Sequence, residues 1–205
     1  MKVIFLDHDG VICLPQQWGG RNKKKLKYAK NNPDNRAFFD SDYPVEIRFD
    51  NFDEKAIKVL NEIIKETDCE IIVSSDWRLT ATLEEMGEYY EMKGIIKKPI
   101  GYTKQFDYNE RLVQEIVNGE VRLKRFDTPE EERAWEIKKY LEEHPEITHW
   151  VAIDDLDMRY YSWYAGEEDI VDWGLKNFVY TIYDEGIKQT GLKNKILKYL
   201  IDERN

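Results

Sequence analysis

Val3-Ile4-Phe5-Leu6-Asp7-His8-Asp9-Gly10 lies near the start of the chain and decides its class. Four consecutive apolar residues are what a strand buried on both faces of a parallel sheet requires. The run stops at two acids and a glycine. Working outward, the same form recurs: Ile71-Ile72-Val73 ends at Ser74-Ser75, and His149 to Ile153 ends at Asp154-Asp155. Pro99-Ile100-Gly101-Tyr102 and Asn177 to Ile182 read as two further strands.

Helical patterns lie between these runs. Asp53 caps a stripe of Ala56, Val59, Leu60, Ile63 and Ile64. Thr80 to Met92 reads as a second helix. Thr128-Pro129-Glu130-Glu131 starts a third, with Thr as cap, Pro in the first turn and Glu131 completing a capping box; it runs to about Glu143. Lys193 to Asp202 is the last. Strands alternating with helices predict an α/β fold with a parallel sheet of about five strands, right-handed crossovers and helices on both faces. Residues 11–52 show little apolar periodicity and contain Gly19-Gly20, Asn31-Asn32-Pro33 and Tyr43-Pro44. They read as turns with one short basic helix, a small insert after the first strand. Residues 103–127 are polar and carry no clear pattern.

The chain has 205 residues, 41% of them hydrophobic, enough for one domain with a core. No apolar run approaches the roughly 20 residues of a membrane span. Asp7 and Asp9 break the first apolar stretch, which is not expected to be a secretory signal. Cys13 and Cys69 are too few for a disulfide framework, so reduced thiols and a cytoplasmic location are expected. The net charge of −10 argues against broad binding to duplex nucleic acid. Trp18 to Arg36 nevertheless carries seven basic residues against the single acid Asp34. Such asymmetry marks either the approach of an anionic ligand or a solvated helix face.

In an open parallel sheet, ligands bind at the carboxyl ends of the strands. Asp7, Asp9, Asp154 and Asp155 would then gather at one edge, facing Ser74 and Ser75. Crowded carboxylates repel unless a cation neutralises them, and an all-oxygen set suits Mg²⁺.

Phe5-Leu6-Asp7-His8-Asp9-Gly10-Val11, Ile71-Ile72-Val73-Ser74 and Val151-Ala152-Ile153-Asp154-Asp155 resemble motifs I, II and IV of the haloacid-dehalogenase (HAD) phosphatase superfamily. Ser74-Ser75-Asp76-Trp77-Arg78, Arg133 with Glu136-Ile137 and Leu141, and Val179-x-Thr181 with Gly186-Ile187 resemble one branch, the HAD domain found in Swiss Army Knife RNA repair proteins. The resemblance covers about residues 1–12, 53–103 and 128–190. It implies a Rossmann-like HAD fold and a set of roles. Asp7 would be the nucleophile, forming an aspartyl-phosphate. Asp9 would act as general acid and then general base. Asp7, the Asp9 backbone carbonyl and Asp154 would hold Mg²⁺, with Asp155 close behind. Ser74 would bond a phosphoryl oxygen, and Gly10 would permit the tight turn and sit against the substrate.

The superfamily also needs a fixed cation, usually Lys, and none is obvious. Arg133 is the candidate: it lies one turn before Ile137 and two before Leu141, on their stripe, at the helix end nearest the active edge. Lys138 is the alternative, deeper in the helix. Ser75 and Arg78 follow the second strand and are candidates for substrate contact, Arg78 equally for a structural ion pair. His8 is expected to point away from the site. Trp77, and Tyr160, Tyr161, Trp163, Tyr164 and Trp173, read as packing or as base-stacking residues; Asp157 either orients metal waters or caps a turn.

The resulting expectation is a single HAD-like domain over 1–205, with 13–52 as its insert. It would act as a Mg²⁺-dependent phosphomonoesterase on a nucleotide or a nucleic-acid terminal phosphate. A small-metabolite phosphatase is the second reading, and a catalytically silent binding protein with the same fold the third.

Overall fold

The structure is a computed structural model. It describes residues 1–33, 37, 39–105, 128–159 and 174–201, and the backbone of 112–117 and 120–125. A five-stranded, all-parallel sheet runs in the order β3-β2-β1-β6-β7, from β1 (Lys2–Leu6), β2 (Glu70–Val73), β3 (Gly101–Tyr102), β6 (His149–Asp154) and β7 (Phe178–Tyr180). β1 is central, with Leu6 in register with Val73 on one side and Ile153 on the other. That position explains its continuous apolar run.

Strand side chains alternate between faces. Ile4, Leu6, Ile71, Val73, Val151 and Ile153 pack towards α3 (Glu54–Thr67), α4 (Leu83–Met92) and α6 (Leu192–Ile201). Val3, Phe5, Ile72 and Ala152 pack towards α5 (Pro129–Glu143), against Ala134 and Ile137. The same alternation, carried one residue past each strand, decides where the acids point. Asp7 continues the Val3-Phe5 series and faces α5; His8 turns to the opposite side.

The helix starts follow their capping residues. Asp53 Oδ1 accepts from the Ala56 N–H at 2.9 Å, and Thr128 Oγ1 accepts from the Glu131 N–H at 3.3 Å. α4 begins at Leu83 and not at Thr80, because Thr82 and Glu85 form the capping box. The preceding Asp76–Leu79 is a short 3₁₀ helix.

The segment after β1 departs from expectation at both ends. Val11, Ile12, Cys13 and Leu14 are fully buried, and Val45, Phe49 and Phe52 return to the same core. Arg48, in the short α2 (Val45–Arg48), clamps this return with two 2.8 Å bonds to Glu85. Between them α1 (Gly20–Asn31) is the basic helix, with no buried residue. Residues 103–127 hold an unexpected antiparallel hairpin of β4 (Leu112–Val117) and β5 (Glu120–Arg125). Val117 pairs with Glu120 at one end of the ladder and Leu112 with Arg125 at the other. Among the described residues no helix is long and apolar enough to cross a membrane. Tyr160, Tyr161, Trp163, Tyr164, Trp173, Asp34, Arg36 and Asp202 lie outside the described residues.

His8 is fully buried among Phe52, Trp77 and Tyr90, and shares a 2.6 Å hydrogen bond with the Tyr90 hydroxyl. Burial, with a smaller push from Arg133, lowers it from 6.5 to about 3. The unfolded chain takes up this proton near pH 6.5 and the folded chain does not. The stability His8 contributes is therefore present above 6.5 and lost as pH falls towards 3. From pH 7 to 5 this amounts to about 2 kcal/mol. Asp7, raised to about 6, acts in the opposite sense over the same range, so comparison with a variant is needed. In denaturant unfolding, wild type is expected to lose about 2 kcal/mol more than His8→Gln between these pH values. Equal losses would mean that His8 is not held neutral.

Candidate active site

At the carboxyl edge of the sheet, β1 delivers Asp7, β6 delivers Asp154 and the following turn delivers Asp155. One carboxylate oxygen from each lies within 4.8 Å of the others. Asp7 and Asp154 are buried and Asp155 is half-buried. Gly10 adopts φ +69°, and a Cβ there would overlap the Asp155 carboxylate. Its N–H donates to the Cys13 carbonyl at 2.9 Å and its carbonyl accepts from Thr181 Oγ1 at 2.9 Å. Gly10 is thus engaged within the chain, and its lack of a side chain leaves room for the Asp155 carboxylate.

Arg133 enters from the first turns of α5. Its Nη1 donates to Asp7 Oδ1 and Asp154 Oδ2, both at 3.1 Å, and to the Ser74 carbonyl. Nη2 donates to Asp76 Oδ1 at 3.3 Å. Burial works against its charge, and Asp154 and Asp7 more than offset this, raising its pKa. Lys138 lies five positions further along the helix, about 7.5 Å by helical rise.

The acids feel their crowding. Burial pushes Asp7 up to about 6, Arg133 pulls it down, and Asp155 and Asp9 raise it further. Burial and the Asp7 charge raise Asp154 well above the ordinary carboxylate range, and burial raises Asp155. Three oxygen donors whose ionisation is disfavoured form a site that a small dication fits, since its charge offsets the repulsion.

Asp9 points elsewhere. Its Oδ2 accepts from the Trp77 indole N–H at 2.8 Å, and its carboxylate lies beside the buried Cys13 thiol, which burial and Asp9 push up in pKa. Trp77 is fixed in turn by near-parallel stacking on Phe49 at 4.6 Å and Phe52 at 5.4 Å. The sequence left Trp77 between packing and base stacking; it packs, and it also holds Asp9.

The two serines divide. The Ser75 hydroxyl lies beside Asp7, where it favours the carboxylate, and caps the 3₁₀ helix through the Trp77 N–H. Ser74 Oγ lies 3.4 Å from Thr103 Oγ1, on the α5 side. Arg78 Nη2 donates to Glu136 Oε2 at 2.7 Å, a buried pair 4.0 Å from Arg133 Nε. Arg78 Nε and Nη1 are buried without a hydrogen-bond partner. Asp157 is engaged by its own turn, accepting from the Arg159 backbone and guanidinium. Thr103 and Cys13 went unrecognised in the sequence, and Glu136 carried no assigned role. Glu136 lies one turn beyond Arg133, a spacing that places both on one helix face.

Residues 3–190 match a sequence family described as the HAD domain in Swiss Army Knife RNA repair proteins. The match runs through the segments 13–52 and 104–127, which the motif resemblance left out. No curated protein and no solved structure matches the chain.

Proposed function

The chain belongs to the family of HAD domains in Swiss Army Knife RNA repair proteins, and from that premise we propose that it is a Mg²⁺-dependent phosphomonoesterase. HAD domains are generally hydrolases. The substrate we propose is a terminal phosphate of a nucleotide or a nucleic acid, turned over by a single domain spanning 1–205. The observation that carries this reading is the pairing of two differently held carboxylates. Asp7 lies against Arg133 and the acid cluster, while Asp9 is turned to the Trp77 indole.

Asp7 attacks phosphorus, and the bond to the leaving oxygen breaks as the Asp7–phosphorus bond forms. Asp9 gives its proton to that oxygen. In the second step Asp9 takes a proton from water, which attacks phosphorus and releases inorganic phosphate and free Asp7. Arg133 supplies fixed positive charge where the equatorial oxygens gather charge. Ser74 and Ser75 offer hydroxyls to those oxygens, and Arg78, paired with Glu136, places positive charge near an anionic part of the substrate. Asp7, Asp154, Asp155 and the Asp9 backbone carbonyl would hold Mg²⁺. Bound there, the ion neutralises charge on the carboxylates and the phosphoryl group.

The test is hydrolysis of an aryl phosphate with and without Mg²⁺, followed by nucleotides, sugar phosphates and 3′- or 5′-phosphorylated oligonucleotides. Turnover that survives exhaustive chelation would exclude the metal requirement, and preference for sugar phosphates would exclude the nucleic-acid reading.

Arg133→Ala is expected to lower kcat by roughly 10²- to 10³-fold, the range for loss of one electrostatic donor. Breaking a buried pair also costs about 3–5 kcal/mol of stability. Arg133→Lys, which keeps the charge, is the control and should recover part of the rate. Lys138→Ala should change little. The reverse ordering would move the cation role to Lys138.

A further inference from the structure

α1 contributes no buried residue to the fold, yet it is the most basic element of an acidic chain. Its cations divide by face. Arg21 pairs with Asp50, Lys25 pairs with Asp40, and Lys24 bonds the Glu46 and Phe49 carbonyls and Asn51. Lys23, Lys27 and Lys30 are exposed at i, i+4 and i+7, one stripe of the helix, and form no ion pair among the described residues. Leu26, 73% exposed, lies on the same stripe. From Lys23 to Lys30 the helix rises about 10.5 Å, so the three ammonium groups form a row that a phosphate backbone can follow.

This helix is anchored beside the acids. Trp18, just before it, donates its indole N–H to the Cys13 carbonyl at 3.3 Å, and Cys13 bridges to Asp9. The Trp18 ring lies near-parallel to Tyr183, with centroids 6.3 Å apart, and the two residues are 46% and 53% exposed. Tyr183 follows Thr181, whose N–H donates to the Asp154 carbonyl and whose hydroxyl donates to the Gly10 carbonyl. An exposed aromatic pair therefore stands next to the loops carrying Asp9 and Asp154, and a basic stripe leads away from it.

We propose that Trp18, Tyr183 and the Lys23-Lys27-Lys30 stripe form the track of a single-stranded nucleic acid whose terminal phosphate reaches Asp7. The inference rests on the phosphatase reading above and adds where the strand lies. Aromatic faces stack on unpaired bases of any sequence, and the lysines neutralise the backbone behind them.

The experiment measures two quantities on the full chain. The first is binding of a fluorescent, terminally phosphorylated 12-mer by anisotropy at 50 and 200 mM salt. The second is hydrolysis of an aryl phosphate. Three phosphate contacts on a single strand give a log–log salt slope of about 2, or roughly 20-fold weaker binding over this range. Replacing Lys23, Lys27 and Lys30 together with Gln should lower the slope by about 2 and lower the 12-mer to aryl-phosphate ratio of kcat/KM. Tyr183→Ala should weaken binding by at least about fivefold at both salt concentrations, leaving the slope unchanged. An unchanged slope in the triple variant, or equal affinity for a 12-mer and a mononucleotide, overturns the track. A blunt duplex bound as tightly overturns the single-strand assignment. Salt-sensitive binding without aryl-phosphate hydrolysis supports the track and rejects the phosphatase reading. Hydrolysis with an unchanged slope does the opposite.

Discussion

Asp7→Asn is expected to abolish measurable phosphate release while leaving the fold intact. The amide occupies the space of the carboxylate, so the packing against Arg133 and Ser75 changes little. It is, however, a poor nucleophile, and its loss of charge also weakens the cluster with Asp154 and Asp155. Two measurements decide: steady-state release of inorganic phosphate, and acid-quench trapping of labelled protein after rapid mixing with substrate. Wild type should accumulate label on Asp7 and the variant none. Wild-type turnover in Asp7→Asn would reject covalent catalysis, and label retained in the variant would place the nucleophile elsewhere.

Asp9→Asn should act according to the leaving group. An alkoxide is strongly basic and needs the proton Asp9 supplies; a nitrophenolate departs without one. General acid help is worth about 10²- to 10⁴-fold where it is required. Phosphoenzyme formation should therefore slow far more for a nucleotide or sugar phosphate than for an aryl phosphate. The second step also needs Asp9, as base for water, so steady-state rates fall for both substrates and only single-turnover formation separates the steps. Trp77→Phe keeps the stacking on Phe49 and Phe52 but removes the N–H that holds Asp9. It should show the same leaving-group bias to a smaller degree, which a merely structural role would not produce. Equal slowing for aryl and alkyl substrates in Asp9→Asn would contradict the general-acid role.

What was legible in the sequence was what short-range pattern encodes. A strand buried on both faces must be apolar throughout, so Val3 to Leu6 reads without ambiguity, and the acids after it fall at a strand end. Arg133 was legible because helical spacing put a charge on the stripe of Ile137. The paired strands 112–117 and 120–125 were not legible, because their charged residues obscured the alternation. Val11 to Leu14 had no local signal. They form no periodic element, and only the surrounding helices show that they are core.

The sequence by itself determined the strand–helix alternation, the strand ends that bear carboxylates, and the helix that carries Arg133. These depend on contacts within a few residues or on a period of two or 3.6. Only the tertiary structure decided which atoms meet. The Asp7 carboxylate lies with Arg133 and Ser75, Ser74 with Thr103, Arg78 with Glu136, and Asp9 with Trp77 and Cys13. Most of these pairs are dozens of positions apart, and each depends on the face a side chain takes just beyond a strand end. The pleat still directs Asp7 and Asp154, but further along the loops it does not, and the packing of neighbouring elements sets the direction of Asp9, Ser75 and Arg78.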